Sequence, residues 1–578
     1  MIRFDCAKRL EKKSRVPFSH HLARKFVIFA FLLRGAFYCV GQPIWEGFDE
    51  WAHFAYIQHL SQYGHLPTRT DQISAELRRS LELAPISASA ADNSRESLSH
   101  DEFWRLPPDD RLTRERELEE LRASFAGTNL GSRMLRQYEA QQPPLYYLLM
   151  VPIYLSLKNA SLPAQVFALR FASLLICGVA ILLCFELAWQ VPASRRAAIP
   201  IMLLLSSWPG FLIGVSRISN DVLALTLGTA YILCLFKIVR GNSKLSDWML
   251  AGMVLGIALL AKSYMLALVP LLPVVMVIEA VRCRSRLQSV WRGLLVAFAT
   301  ATLICGWWYI GNYQATGTLS GEQIDAAAAH FGFLGKLRAV GSIQWLRVLD
   351  SAATTHIWTG GWSFLTVRSW MYRVFECQAL LAGVGLSSLA ARLLRKLYRR
   401  GLGYRDAFLF LAVCAYLFFC SALAYYAIAV YLTRGVSTTI GWYLDALAGV
   451  EGVLLASGFT GLVGTRRAAG CVAAAAALAC AFDLYTVNFV SVPYYTGLTA
   501  HLHSGFVSSF HPVAALRHIG LVGVLTRLAV NKPVAPSVLG TLWIGYLFAT
   551  FGLVACSAAA IKQAFFLRRQ LQSTSLVA

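Results

Sequence analysis

The sequence predicts an all-α polytopic membrane protein with about 12 transmembrane helices plus juxtamembrane helices, and three observations predict it. Of the 578 residues, 57% are hydrophobic and 15% charged, against about 25% charged in soluble chains. The apolar residues fall into runs close to the ~20 residues that a helix needs to cross ~30 Å of hydrocarbon. Basic residues gather in short stretches between those runs, as the positive-inside bias requires.

Residues 1–25 are basic, and no small-residue cleavage site follows the first apolar run, so they are expected to form an uncleaved cytoplasmic tail. Apolar runs follow at 26–45, 166–190, 198–217, 221–238, 247–262, 264–281, 289–311, 375–393, 407–430, 441–463, 468–490 and 537–561. The run 145–157 is short and contains Pro152, so it fits either a span or an interfacial helix. Charge decides between them. With 145–157 in the interface, Arg195-Arg196, Lys237 to Lys244, Arg282 to Arg286, Arg392 to Arg405 and Arg466-Arg467 fall on one side, joined by Arg568-Arg569. Twelve spans with both termini cytoplasmic result. The stretch Trp248–Cys283 would be ~54 Å long as one helix, so it reads as two spans meeting at Lys262-Ser263-Tyr264.

This topology divides the chain into a transmembrane module at 26–311 with an external loop at 42–165, a second external loop at 312–374, a transmembrane module at 375–561 with an external loop at 491–536, and a tail at 562–578. In the first loop, Thr113 to Arg122 places opposite charges three or four apart and reads as a solvated helix. Residues 85–101, rich in Ser, Ala and Asp, read as mobile.

The formal charge of +22 could suggest a nucleic-acid partner, but its distribution between apolar runs identifies it as cytoplasmic anchoring. Most of the thirteen cysteines sit inside apolar runs without CxxC or Cys/His ligand spacing, so they read as buried single thiols. No phosphate-cradling glycine loop, GxSxG or HExxH pattern is present. A substrate would have to arrive already activated.

The polar residues that stand out all project to one face. Asp49-Glu50, with His53, lies just beyond the first span, and Asn220-Asp221 comes from a different hairpin. Carboxylates at a membrane face are costly and usually functional, and their convergence suits proton removal from a hydroxyl or binding of a divalent ion. Arg170, Arg217, Lys262 and Arg434 lie at outer ends of spans, where the charge bias disfavours them. Together they suit a phosphate or pyrophosphate held at that surface. Arg34, in the middle of the first span, is expected to be buried against a partner or to snorkel. Gln142-Pro143-Pro144 forms a rigid start to the interfacial helix. The tyrosines and tryptophans at span ends, Trp362 among them, form an interface belt that can also stack on a sugar or isoprenoid.

Several of these motifs resemble those of GT-C glycosyltransferases, in particular the bacterial protein mannosyltransferase-like, aminoarabinose transferase-like and DUF2142-like groups. They are Asp49-Glu50-Trp51-Ala52-His53-Phe54-Ala55-Tyr56, Gln141-Gln142-Pro143-Pro144-Leu145-Tyr146-Tyr147, Ser219-Asn220-Asp221, Leu260-Ala261-Lys262-Ser263-Tyr264, and Gly306-Trp307-Trp308-Tyr309-Ile310-Gly311-Asn312 with Gly317. The matches spread over roughly residues 40–365, with a weaker one at 441–446. The resemblance implies a GT-C-like fold and transfer of a sugar from a polyprenyl-phosphate donor to a glycan, lipid or protein acceptor. Asp49 would be the base, with Glu50 and Asp221 shaping the site. Arg170, Arg217, Lys262 and Arg434 would hold the phosphate, while His53, Gln142, Asn220, Tyr264, Asn312, Trp362 and Tyr443 would touch substrate. If a divalent metal ion is used, Asp49 and Asp221 are its ligands. The chain departs from the pattern at Gln142, where those groups usually carry His, at Gly311 in place of Arg, and at Gly441 to Ala446, which lacks an Arg.

The expected function is therefore a membrane glycosyltransferase of the cell envelope. It would lie in a bacterial inner membrane with its site on the periplasmic face, and it would have no nucleic-acid partner. The alternatives are a transporter or flippase of lipid-linked saccharides, for which Asp445 and Glu451 inside an apolar run speak, and a non-catalytic relative in envelope polysaccharide assembly.

Overall fold

The computed structural model describes residues 18–87, 97–122, 136–241, 243–282, 287–399, 401–502 and 505–565. Within these residues the regular structure is helical, and extended pairing is limited to three isolated bridges. Most of the N-terminal tail, the middle of 85–101, Arg284, Arg286, Arg568 and Arg569 lie outside the described residues.

Among the described residues nine helices are long and apolar enough to cross a bilayer, and a tenth crossing arises if Arg195–Ser207 and Pro209–Val215, bent by 67°, form one span. Pro209 makes that bend, because it offers no N–H to the preceding turn and forces Trp208 into extended backbone.

The correspondence with twelve spans is close but uneven. The stretch Gly441–Tyr495 holds two expected spans, and Gly464 (φ 79°, ψ 160°) separates them with a backbone that only glycine adopts freely. Phe18–Gly41 carries three cations, Arg24, Lys25 and Arg34, which keep it below a strict apolar criterion. Leu245–Ala261 has 17 residues, just short of a full crossing.

Two external loops differ from expectation. Pro512–Ala529, inside the loop expected at 491–536, is an apolar helix of 18 residues. This helix is one of the nine, but Gly520 (φ 66°, ψ 172°) breaks it into two limbs of roughly 12 Å, each shorter than a full crossing. The loop at 312–374 folds into Phe333–Ser342 and Trp345–Ile357, which expose Phe333, Leu337, Leu346 and Leu349 as amphipathic interfacial helices do.

Small residues set the helix spacing. A methyl group at Gly252 or Gly256 would collide with the backbone of Ala297 or Ala301, so Leu245–Ala261 and Leu287–Thr316 pack backbone to backbone. Arg34 is fully buried and pairs with Asp483 at 2.5 Å. The Tyr38 and Tyr546 hydroxyls donate to the same carboxylate. This cluster ties the first span to the last through the limb that carries Asp483 and replaces the water both charges have lost.

The basic clusters meet at one end of the molecule. Arg240 donates to Gln190 and lies over Phe408. Arg282 reaches the Val239 carbonyl, Thr460 that of Ala193 and Arg466 that of Gln563. At the opposite end lie the loops that build the cavity described next.

Candidate functional site: a polar cavity at the end away from the basic clusters

The first span stops at Gly41, and the segment Gln42 to Phe48 is folded tightly under the surface. Glu46 anchors it. Its carboxylate accepts from the Ser363 N–H at 2.6 Å and meets His100 Nε2 at 3.1 Å, while its carbonyl accepts from Trp362 N–H at 2.8 Å. Asp49 then adopts the left-handed region (φ 54°, ψ 17°) and caps the helix Glu50–Tyr63, its carbonyl accepting from the N–H groups of Ala52 and His53. Asp tolerates that conformation better than most residues, and such outliers cluster at functional sites.

This geometry sends the two neighbouring acids in different directions. Asp49 lines a cavity of about 550 Å³. Its carboxylate makes no hydrogen bond within the described residues, and burial pushes it up to about 6, against the pull of Arg217 and Lys262. Glu50 instead is sealed. It takes Arg170 Nε and Nη2 at 2.7 and 2.6 Å and the N–H groups of Ile218 and Trp45. The rest of Arg170 holds the carbonyls of Cys39, Gln42 and Pro43. This corrects two expectations, for Glu50 does not shape the cavity and Arg170 has no N–H left for a phosphate. They form the scaffold that fixes the turn beneath Asp49.

Asp221 opens the helix Asp221–Val239, where a helix N-terminus favours negative charge. Its carboxylate is fully engaged, taking Arg217 Nη2 at 3.1 Å, Ser219 Oγ at 2.7 Å, Lys262 Nζ at 3.1 Å and Tyr264 Oη at 2.9 Å. It organises the two cations and is not free to act as a base. Lys262 stands at the extended break between Leu245–Ala261 and the turn Ser263–Leu268, the position foreseen for it, and also donates to Asn220 Oδ1.

From Asn220 the polar chain continues to Gln142 Oε1 at 3.4 Å, and Gln142 Nε2 donates to Glu322 at 2.8 Å, which also takes Ser263 Oγ at 3.1 Å. Gln142 is extended ahead of the two prolines, as a residue before proline prefers. His53 meets Tyr147 Oη at 2.8 Å, and burial together with Lys262 holds its imidazole well below the ordinary value, hence neutral.

Trp442 stacks on Phe48 at 3.8 Å, and the Arg217 guanidinium lies 4.9 Å from the centroid of the same Phe48 ring. Tyr443 packs near Tyr264, and Arg434 stands exposed at the rim.

Thus Asp49, Asp221, Arg217, Lys262, Arg434, His53, Gln142, Tyr264 and Tyr443 all line one cavity. Asn220 lies directly behind it. Asn312 supports the loop at 317–320 by donating to the carbonyls of Leu319 and Ser320, and Trp362 packs behind Phe48. The site residues expected from the sequence do not include Glu139, Gln141, Glu322 and Asp325, which also line the cavity, or Glu46, which anchors the segment before it.

Among the described residues no three His, Cys, Asp or Glu side chains form a group that could hold a metal ion. Asp221 is already saturated, so Asp49 and Asp221 do not fit as a divalent-ion pair.

The family model described as "Predicted membrane protein (DUF2142)" matches residues 32–450. The chain belongs to this family. DUF2142 is one of the groups its motifs resemble. This DUF2142 protein is also 26% identical over 199 residues to the undecaprenyl phosphate-alpha-4-amino-4-deoxy-L-arabinose arabinosyl transferase 1 of Sodalis glossinidius (strain morsitans), a match covering 32% of the chain and 36% of that relative. It therefore spans about a third of the relative's length. Among solved structures it is similar to ArnT from Cupriavidus metallidurans bound to undecaprenyl phosphate (13% identity, TM-score 0.43, 94% of this chain and 78% of that one). It is also similar to the archaeal oligosaccharyltransferase AglB from Archaeoglobus fulgidus in complex with an inhibitory peptide and a dolichol-phosphate (12% identity, TM-score 0.39, 94% and 56%).

Proposed function

We propose that this DUF2142 protein is a GT-C-type glycosyltransferase that moves a sugar from a polyprenyl-phosphate donor to an acceptor hydroxyl, at the membrane face opposite its basic clusters. By the charge bias that face is external, which in a bacterium is the periplasmic side of the inner membrane. One observation carries the reading: an unbonded carboxylate, Asp49, shares its cavity with Arg217, whose Nε and Nη1 lack partners, and with Lys262. The relative named for undecaprenyl-phosphate chemistry supports the same donor class.

Asp49 is suited to take the proton of an acceptor hydroxyl held ~3 Å away. As that proton leaves, the acceptor oxygen forms a bond to the anomeric carbon. The bond from that carbon to the phosphate oxygen breaks, and its electron pair departs with the polyprenyl phosphate. Arg217 and Lys262, already fixed by Asp221, stabilise the charge that builds on the leaving group without reorganising. The exposed Arg434 meets the phosphate at the rim. Asp221 serves as the organiser of these cations.

The test incubates purified protein with a panel of polyprenyl-phosphate sugars and measures donor consumption. Wild type consumes at least one donor, and Asp49→Asn, which retains the left-handed turn, loses consumption by about 100-fold or more while remaining folded. Unchanged consumption by Asp49→Asn rejects the base.

A further inference from the structure

The cavity carries more negative charge than a phosphate site needs. Five carboxyls line it, those of Asp49, Glu139, Asp221, Glu322 and Asp325, against the three cations Arg217, Lys262 and Arg434. Asp325 is held by Ser320 Oγ and faces Lys336, which leaves four carboxyls against three cations. With all four ionised, a bound sugar phosphodiester, which brings one further negative charge, would deepen the deficit to two. Charges taken out of water must be matched or neutralised.

The acceptors without donors lie together just before the Pro-Pro turn. Glu139 is 4% exposed and Gln141 5%, and both line the cavity. Glu139 Oε2 and Gln141 Oε1 are buried with no hydrogen-bond partner. Glu322, the third acid at this end, is hydrogen-bonded by the neutral donors Gln142 and Ser263, with Lys262 acting on it without a hydrogen bond.

We infer that this acidic end, formed by Glu139 and Gln141 with Glu322 beside them, receives a protonated amine carried by the substrate. An ammonium group supplies three donors and one positive charge, which satisfies both orphaned oxygens and offsets the deficit. A divalent ion would supply the charge but lacks a three-ligand group to hold it among the described residues. Burial and the neighbouring Asp49 push the Glu139 carboxyl well above the ordinary carboxylate range, against the pull of Lys262, and a cation beside it would favour its ionised form.

The inference rests on the transferase reading, and the amine can belong to the transferred sugar or to the acceptor. Binding is measured on the full chain in nanodiscs, for undecaprenyl phosphate, for an undecaprenyl-phosphate amino sugar and for its neutral N-acetyl counterpart, in wild type and Glu139→Gln. A parallel arm uses a neutral-sugar donor in phosphatidylethanolamine or phosphatidylglycerol bilayers and measures transfer.

Wild type is expected to prefer the amine-bearing partner in one arm by about tenfold or more, and that arm identifies the source. Glu139→Gln abolishes the preference while binding undecaprenyl phosphate like wild type, which also certifies its fold. If wild type binds undecaprenyl phosphate but shows no amine preference in either arm, or if Mg²⁺ replaces the amine in a Glu139-dependent way, the inference is overturned and the transferase reading stands. If undecaprenyl phosphate does not bind wild type, both fall.

Discussion

Glu50 lies wholly out of water with four donors on its two oxygens, whereas the Asp49 carboxylate, one residue earlier, faces the cavity with no hydrogen-bond donor on it among the described residues. Both are carboxylates at the same depth of the same turn. The difference lies in backbone direction: Asp49 occupies the left-handed region and Glu50 begins a helix, so their side chains diverge. A saturated buried charge is a structural element that tolerates no loss of its partner. An unsaturated one beside cations is a reactive group.

The comparison breaks most visibly on the scaffold side. Arg170→Ala leaves Glu50 uncompensated at 0% exposure and is expected to cost about 3–5 kcal/mol. The loss is read as a marked drop in the unfolding temperature of the detergent-solubilised protein. A variant as stable as wild type would show that the pair is dispensable to the fold.

On the reactive side, the effect is expected in pH dependence rather than stability. Because burial holds the Asp49 acid up to about 6, the base form is lost as pH falls through that value. The free-enzyme rate constant kcat/KM should be flat above pH 6 to 7 and fall about tenfold per unit below. A profile flat down to pH 4.5 would remove Asp49 from proton transfer.

The smallest effect is expected between the two sides, at Lys262. Lys262→Ala leaves Asp221 with Arg217, Ser219 and Tyr264 and removes one phosphate contact. The donor concentration for half-maximal rate should rise about tenfold, with kcat reduced less. An unaltered donor dependence would take Lys262 out of the phosphate site.

Much of this was legible in the chain. The apolar runs and the basic clusters between them foretold which loops share an end, and so brought Asp49, Asp221, Lys262 and Gln142 to one cavity. Spacing cannot say which of two adjacent acids turns inward, because that depends on the left-handed backbone at Asp49, and so Glu50 and Arg170 were misassigned. Glu322 was invisible because its partners, Gln142 and Ser263, lie far away in the chain and no local pattern marks it. Glu139 left a weak trace, an acid four residues ahead of a rigid Pro-Pro turn. The apolar helix Pro512–Ala529 was hidden by Gly520, which reads as a loop residue until the two apolar limbs are seen on either side of it.

One flank of the cavity is formed by Leu266 and Ala267 from one span and Phe419, Ala422 and Leu423 from another. A chain-bearing donor that slides in between those spans never needs to leave the leaflet. Saturation is then governed by mole fraction within the bilayer, so adding bilayer lipid at constant total donor slows the reaction as a two-dimensional encounter would.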